Sequence, residues 1–409
     1  MKKAYLLIIA AALAFAGCSK NGPDTPRDPN AWMYDESLPV PVMLGTPGAQ
    51  VMTKAGIDGA SLPENSEIGV LGLEFGNRGW TSLETTSESV LMDCQTGYTV
   101  DGEGNININP VRYYPLTGGQ NFAFYGFHPY VKAKCENNGT ASTNSYYKAT
   151  YTVDGKTDIL WAESEAKELE YTNEKDQKQY KALGYNAAYI RKVLKYIPDD
   201  EQKGYMPNLD FKHKLTALDF KLRAYEDAWP DLQKSKVKVT GLTILNTYTK
   251  ADLIVASLDE NSSFIAGSLT GGTSTGSIAM EGVAEDGIEL YGTETTGTSD
   301  TDGKYQDAEF GNGLLLVPGT EYKAQLTMTY VTPGTEEVKT CYPDLSFKLP
   351  DSIGSSFEEG KRYTLTIIVR APQEVQVTAS LTEWENVSPE EEIVIDQINN
   401  GNDNEVSGE

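Results

Sequence analysis

The residues that could do chemistry in this chain are few. Histidine occurs twice, at His128 and His213. Neither has a serine, aspartate or cysteine neighbour at a spacing that recurs in nucleophilic sites. The chain has no Walker A, GxGxxG or HExxH motif. Cysteine occurs at Cys18, Cys94, Cys135 and Cys341, with no CxxC and no zinc-ligand spacing. Residues 98–110, with their Asp and Asn, and Asp300-x-Asp302-Gly303 in the Gly/Thr/Ser-rich stretch 292–304 hint at calcium loops. The first lacks EF-hand spacing. The second has Gly311 where a loop starting at Asp300 needs its bidentate acid, so both read as plain turns. Carboxylates are abundant, which leaves a glycosidase-type pair open as a third-ranked reading. Trp80, Trp161 and Trp229 could line a sugar-binding surface or pack in a core. The expectation is a chain with no catalytic residues, no metal and no cofactor.

One position does carry a chemical fate. Lys2 and Lys3 precede an apolar run over 4–15, too short to span a bilayer, that ends Ala14-Phe15-Ala16-Gly17-Cys18. Small residues before a cysteine suit lipoprotein signal peptidase, whose site must admit a thioether-bound diacylglycerol. Residues 1–17 are therefore expected to be a signal peptide, and Cys18 to be acylated, palmitate included. Residues 18–36, rich in Pro, Asn and Asp, read as a tether. The formal net charge of −25 becomes −27 when Lys2 and Lys3 leave with the signal. Such a chain repels nucleic acid and anionic membrane surfaces. Three cysteines then remain, at wide spacing, so no disulfide framework is evident; a single Cys94–Cys135 pair stays open.

The element that must position His213 is the stretch 208–225, NLDFKHKLTALDFKLRAY. Leu209, Phe211, His213, Leu215 and Ala217 alternate with polar residues. Then the phase flips, and Leu218, Phe220 and Leu222 carry the apolar set. A period-2 pattern that slips by one predicts a β-bulge or a strand that passes from one sheet to another. His213 falls on the apolar face, where a histidine bonded to backbone is expected.

Around it lie some 14 to 16 short segments of β character, punctuated by turns and rich in Gly, Tyr, Thr and Val. Among them is 38–44, LPVPVML, whose Pro39 and Pro41 confine it to an edge or to pairing on one side. Residues 163–203 differ, being dense in Lys and Glu. Within them AAYIRKVLKY, 187–196, has apolar residues at helical spacing, and the charges read as a solvated face. Residues 228–234 read as a connector. There is no βαβ rhythm. At 409 residues the chain exceeds one compact β-domain. The expectation is an all-β protein of two tandem β-sandwich domains, 37–226 with a helical or loop insertion at 163–207, and 227–390. An acidic tail, 391–409, follows.

Several features stand in a telling order. They are the signal ending at Cys18, the strand 38–44, Lys54-Ala55, Ile68-Gly69-Val70, Tyr113-Tyr114-Pro115 and the Phe-Ala-Phe-Tyr strand ending at Pro129. Then come Asp158-Ile159-Leu160-Trp161-Ala162, Phe211-x-His213-x-Leu215, residues 314–318, Gly360-Lys361-Arg362-Tyr363 and Trp384. The chain resembles, over nearly its whole length, the fimbrillin-like lipoproteins of Bacteroidales, subunits of surface pili. Phe211-x-His213-x-Leu215 is the most specific item of the set.

The resemblance implies two transthyretin-like sandwiches and a lipidated precursor at the cell outer membrane. It implies a trypsin-like maturation protease that cuts after a basic residue and removes the first strand. The opened groove then takes a strand from another subunit, and repetition builds a fimbrium active in cell adhesion. Carried onto this chain, the cut falls at Lys54–Ala55, where the family usually has arginine. It releases the strand bearing Leu38, Val40, Val42 and Leu44. A cut at Arg27, the second candidate, would leave that strand in place. The donor strand would come from 375–381 or 392–398. The implied partners are other pilus subunits, the membrane through its lipid, and the protease, with no nucleic acid. The alternative is a non-polymerising surface lipoprotein that binds glycan or host protein, suggested by the aromatics and the acidic tail.

Overall fold

The computed structural model describes residues 30–46, 62–75, 89–116, 119–137, 145–173, 176–180, 183–225, 229–258, 264–290, 307–332, 334–371, 374–383 and 399–400. In chain order the first strands are β1 Glu67–Glu74, β2 Val90–Asp93, β3 Tyr98–Val100, β4 Ile106–Asn107, β5 Phe122–His128, β6 Lys134–Asn137, β7 Ser145–Thr152 and β8 Leu160–Ser164. A hairpin, β9 Leu169–Asn173 and β10 Asp176–Tyr180, leads to helix α1, Ala187–Tyr196. Then come β11 Lys212–His213, β12 Thr216–Ala224 and helix α2, Trp229–Lys234. The rest supplies β13 Lys238–Tyr248, β14 Lys250–Ser257, β15 Leu269–Gly271, β16 Thr275–Ala279, β17 Ile288–Glu289, β18 Ala308–Glu309 and β19 Leu314–Leu316. It closes with β20 Tyr322–Val331, β21 Val338–Cys341, β22 Asp344–Phe347, β23 Lys361–Ala371, β24 Glu374–Glu383 and β25 Asn399–Asn400.

The fold is all-β. Sheet one runs β11-β8-β5-β1-β3-β4, with β2 also on β1. Sheet two runs β15-β14-β7-β6. Sheet three runs β18-β12-β23-β24-β25, with β19 also on β12, and sheet four runs β16-β13-β20-β21, with β17 on β13 and β22 on β20. Pairing is antiparallel except between β12 and β23.

Sheet one is buried on both faces, which is why β1 and β5 read as near-continuous apolar runs. Ile68, Val70, Phe122 and Phe124 face one hydrophobic cluster. Their neighbours Leu71, Leu73, Tyr125 and Phe127 face another, shared with Tyr147 and Tyr151 of sheet two. Gly69 lies against the Phe127 ring, where a β-carbon would collide. That second cluster continues into sheets three and four, where Phe220 meets Phe347 at a ring separation of 5.6 Å. Sheet two also draws strands from both sides of residue 226: β14 pairs with β7 over residues 250–257 and 146–152. The chain expected to change domain at 226 therefore returns to complete a sheet of the first half.

The run changes sheet between His213 and Thr216, ahead of the phase flip at 217/218, which falls within β12. β11 pairs with β8 in sheet one, and β12 pairs with β19 and β23 in sheet three. Of the two readings, passage from sheet to sheet is the one observed. The insertion is only partly as expected. α1 forms over 187–196, capped by Asn186, whose Oδ1 accepts from Tyr189 N at 2.7 Å. The stretch before it holds the β9–β10 hairpin rather than helix or loop. Its Lys, Glu and Gln residues carry no apolar alternation to announce a strand. The connector at 228–234 is likewise helical, as α2.

Candidate functional site

The leading segment 38–46 is built into the protein. Its alternation puts Val40, Val42 and Leu44 inside, at 0%, 4% and 5% exposure, with Leu38 half-buried. Main-chain bonds hold it along residues 104–114. Val42 N donates to Arg112 O at 2.8 Å, Tyr114 N to Val40 O at 2.9 Å, Ile106 N to Leu44 O at 3.0 Å, and Thr46 N to Gly104 O at 2.7 Å. On the other side Gly45 N donates to Pro207 O and Leu209 N to Gly45 O, at 3.1 and 2.8 Å. The positions bonded to 112–114 are Val40, through its carbonyl, and Val42, through its amide. Pro41 falls between them and Pro39 just before them, so their missing N–H groups cost this ladder nothing. One-sided pairing at the prolines, as their spacing requires, is what the backbone adopts.

The groove beneath is aromatic. Tyr114 lies 6.3 Å from Phe124, Phe124 5.8 Å from Tyr185, and Tyr185 5.6 Å from Tyr189, centroid to centroid. Burying three aliphatic side chains there contributes about 5–9 kcal/mol as an upper estimate. That is on the scale of a whole domain's net stability, about 5–15 kcal/mol. The segment is held through isolated bridges at Pro41 and Gly45, and lifting it would lay open an apolar trough flanked by unpaired backbone.

Two residues that the sequence did not single out hold the entry to this segment. Trp32, in a single helical turn at Ala31–Met33, is buried in the same cluster as Val40, Val42 and Leu44. Arg191 of α1 donates from Nε to Trp32 O at 3.0 Å, and from Nη2 to Asp35 O at 3.1 Å and Leu38 O at 2.6 Å. Part of the expected tether is thus docked.

The other candidates resolve as follows. Cys18, Arg27, Lys54 and Ala55 lie outside the described residues, as do 392–398. Residues 375–381 belong to β24, bonded along β23 from Val369–Val375 to Tyr363–Leu381. Freeing them would dismantle sheet three, so they make a poor donor.

His213 is buried as expected, and its Nδ1 meets a carboxylate: Nδ1 and Asp158 Oδ2 share a hydrogen bond of 2.7 Å, with both side chains almost wholly enclosed. The cause is register, since His213 stands opposite Leu160 and brings the chain before β8 alongside. His128 Nδ1 lies 3.0 Å from Glu67 O, and burial holds its pKa below the ordinary imidazole value.

Trp161 packs between sheets, with Nε1 donating to Val255 O at 2.9 Å. That removes it from any sugar-binding face; the side chains of Trp80 and Trp229 lie outside the described residues. Asp101 accepts from Glu103 N, Asn105 N and Asn105 Nδ2 at 2.9, 2.8 and 3.0 Å, so its carboxylate closes a turn. Among the described residues no group of three or more His, Cys, Asp or Glu is placed to hold a metal ion.

Cys94, Cys135 and Cys341 are free thiols, so the pair left open between Cys94 and Cys135 does not form. Burial, helped by the Asp93 charge, pushes Cys94 up to about 12, and burial raises Cys135 and Cys341 to about 11. Iodoacetamide at pH 8 should therefore modify Cys94 last, and only as the protein unfolds; peptide mass spectrometry at timed intervals reads this. Prompt labelling of Cys94 in the native protein would contradict its burial.

A family model described as fimbrillin-like matches residues 53–384. No curated protein matches the chain. Solved structures do. A candidate cell adhesion protein from Bacteroides uniformis is 17% identical, with a TM-score of 0.41, covering 86% of this chain and 100% of its own. A second, from Parabacteroides distasonis, is 9% identical with a TM-score of 0.41, covering 86% and 98%. The fimbrial anchor protein Mfa2 from Porphyromonas gingivalis is 9% identical with a TM-score of 0.31, covering 84% and 99%.

Proposed function

Because the chain belongs to the fimbrillin-like family, we propose that it is a structural or accessory subunit of cell-surface fimbriae. It is exported as a lipoprotein, acylated at Cys18 and held at the outer membrane. Cleavage at Lys54–Ala55 frees the leading segment, and a strand from another subunit takes its place. The observation that carries this reading is the segment itself: Val40, Val42 and Leu44 are fully enclosed, yet the strand precedes the stretch holding the candidate cut. A strand that fills a core from one end of the chain can be exchanged for an equivalent strand in trans without refolding the rest. Of the two donor stretches, 392–398 is the better, since 375–381 is committed to sheet three.

The test is direct. Purified precursor is treated with a trypsin-like protease, and the products are read by mass spectrometry and on gels that preserve assemblies. Cleavage after Lys54 followed by a ladder of multimers is the expected result. A chain that resists cutting there, or is cut and stays monomeric at high concentration, would favour the non-polymerising surface lipoprotein instead.

A further inference from the structure

Resting on that reading of the groove, we propose that the site recognises a hooked strand and not a strand alone. Its occupant must bring a large aromatic side chain eight positions ahead of its first enclosed aliphatic residue, with main-chain carbonyls between them for Arg191.

In the occupied groove, Trp32 stands eight residues before Val40 and is 6% exposed. It shares its cluster with Ile190 and Val193 of α1, the helix that carries Arg191. The bend between hook and strand is set by Asp35, whose Oδ1 accepts from Ser37 N at 2.9 Å and Ser37 Oγ at 2.6 Å. Arg191 touches only carbonyl oxygens, those of Trp32, Asp35 and Leu38. Such contacts are blind to side chains: any sequence that bends alike can make them. They fix where the incoming chain turns. The Trp32 socket then selects what it must carry.

Polarity is fixed as well. The segment pairs antiparallel with residues 105 and 113 and parallel at Gly45 with Asn208, so a replacement that satisfies both neighbours runs in the same direction. The partner class follows: a subunit whose exchanging strand has an aromatic, a bend, then aliphatic residues at every second position. This chain's own tail is a poor match. With Trp384 in the socket, Glu392 and Asp396 would fall eight and twelve positions on, at the enclosed places of Val40 and Leu44. The preferred occupant is accordingly the strand of a different kind of subunit, and this chain's own tail fills the groove only at high concentration.

The experiment uses the full mature chain with a specific protease site placed within 47–52, cut in vitro so that the leader stays bound without a covalent link. Fluorescent peptides of sequence 30–46 are then exchanged into the groove. The native peptide should bind and displace the leader. A Trp32→Ala peptide should bind roughly a hundredfold more weakly, as loss of a buried tryptophan requires, and a Trp32→Phe peptide should stay within about tenfold of native. The Arg191→Ala protein should release every peptide at least about tenfold faster, with Arg191→Lys between. The peptide variants leave the protein untouched, so misfolding cannot mimic the result. A Trp32→Ala peptide that binds within about threefold of native overturns the hook while leaving the groove intact. Failure of every peptide, native included, to enter the cut chain overturns the groove reading and the hook together.

Discussion

Replacing Val40 with aspartate is expected to be the most damaging single change in the leading segment. Val40 is wholly enclosed, and an unpaired carboxylate there costs several kcal/mol beyond the lost methyl groups. The loss is capped, however. Once it exceeds what the segment contributes, about 5–9 kcal/mol at most, the segment lifts out and the charge reaches water. The expected record is a fall of about 4 kcal/mol or more in unfolding free energy by urea titration, with new binding of a hydrophobic dye. Leu38→Asp is the control. Leu38 is only half-buried, and its substitution should cost less than about 1 kcal/mol. Equal effects at 38 and 40 would mean that the segment does not fill the groove.

The second large effect is expected at the joint between the sheets. Asp158→Ala leaves His213 enclosed without the carboxylate it bonds at 2.7 Å. Leaving one member of such a buried hydrogen bond unsatisfied typically costs about 1–3 kcal/mol, whereas replacing both by apolar groups is far milder. The double variant Asp158→Leu, His213→Leu should therefore be more stable than Asp158→Ala alone. The location raises the stakes. His213 ends the run in sheet one, and the next residue, Lys214, donates to Glu359 Oε1 at 2.6 Å beside sheet three. Loosening the pair should separate the unfolding transitions of the two halves, which tyrosine fluorescence and far-UV circular dichroism followed together would reveal. A single coincident transition with a shift under about 1 kcal/mol would remove the joint from the account.

How much of this was legible follows from how local each signal is. The phase flip at Leu218 is written in adjacent residues; it announced a change of sheet, which the chain makes slightly earlier, between His213 and Thr216. Helix α1 was legible because Ala187, Tyr189, Ile190 and Val193 repeat at helical spacing behind a capping Asn186. Of the residues carried over for 38–44, Val40, Val42 and Leu44 are enclosed and Leu38 is only half-buried. What was missed is long-range or purely backbone. The hairpin β9–β10 is made by main-chain pairing among mostly polar residues. The Asp158–His213 bond joins residues 55 apart in the chain. Arg191 looks like any charged residue on a solvated helix, because its acceptors lie 153 to 159 residues earlier. Trp32 was read as tether because Pro, Asn and Asp surround it. The return of β14 to sheet two depends on a pairing choice that Leu253 and its neighbours cannot announce alone.

The measurement that bears most directly on strand replacement is the amino-terminal residue of the protein taken from filaments on intact cells, read by mass spectrometry. The account predicts Ala55, with residues 38–46 gone and their groove protected from hydrogen exchange by another subunit's strand. Filament-borne molecules that still begin at Cys18 or Asp28, with Val40, Val42 and Leu44 in place, would contradict it.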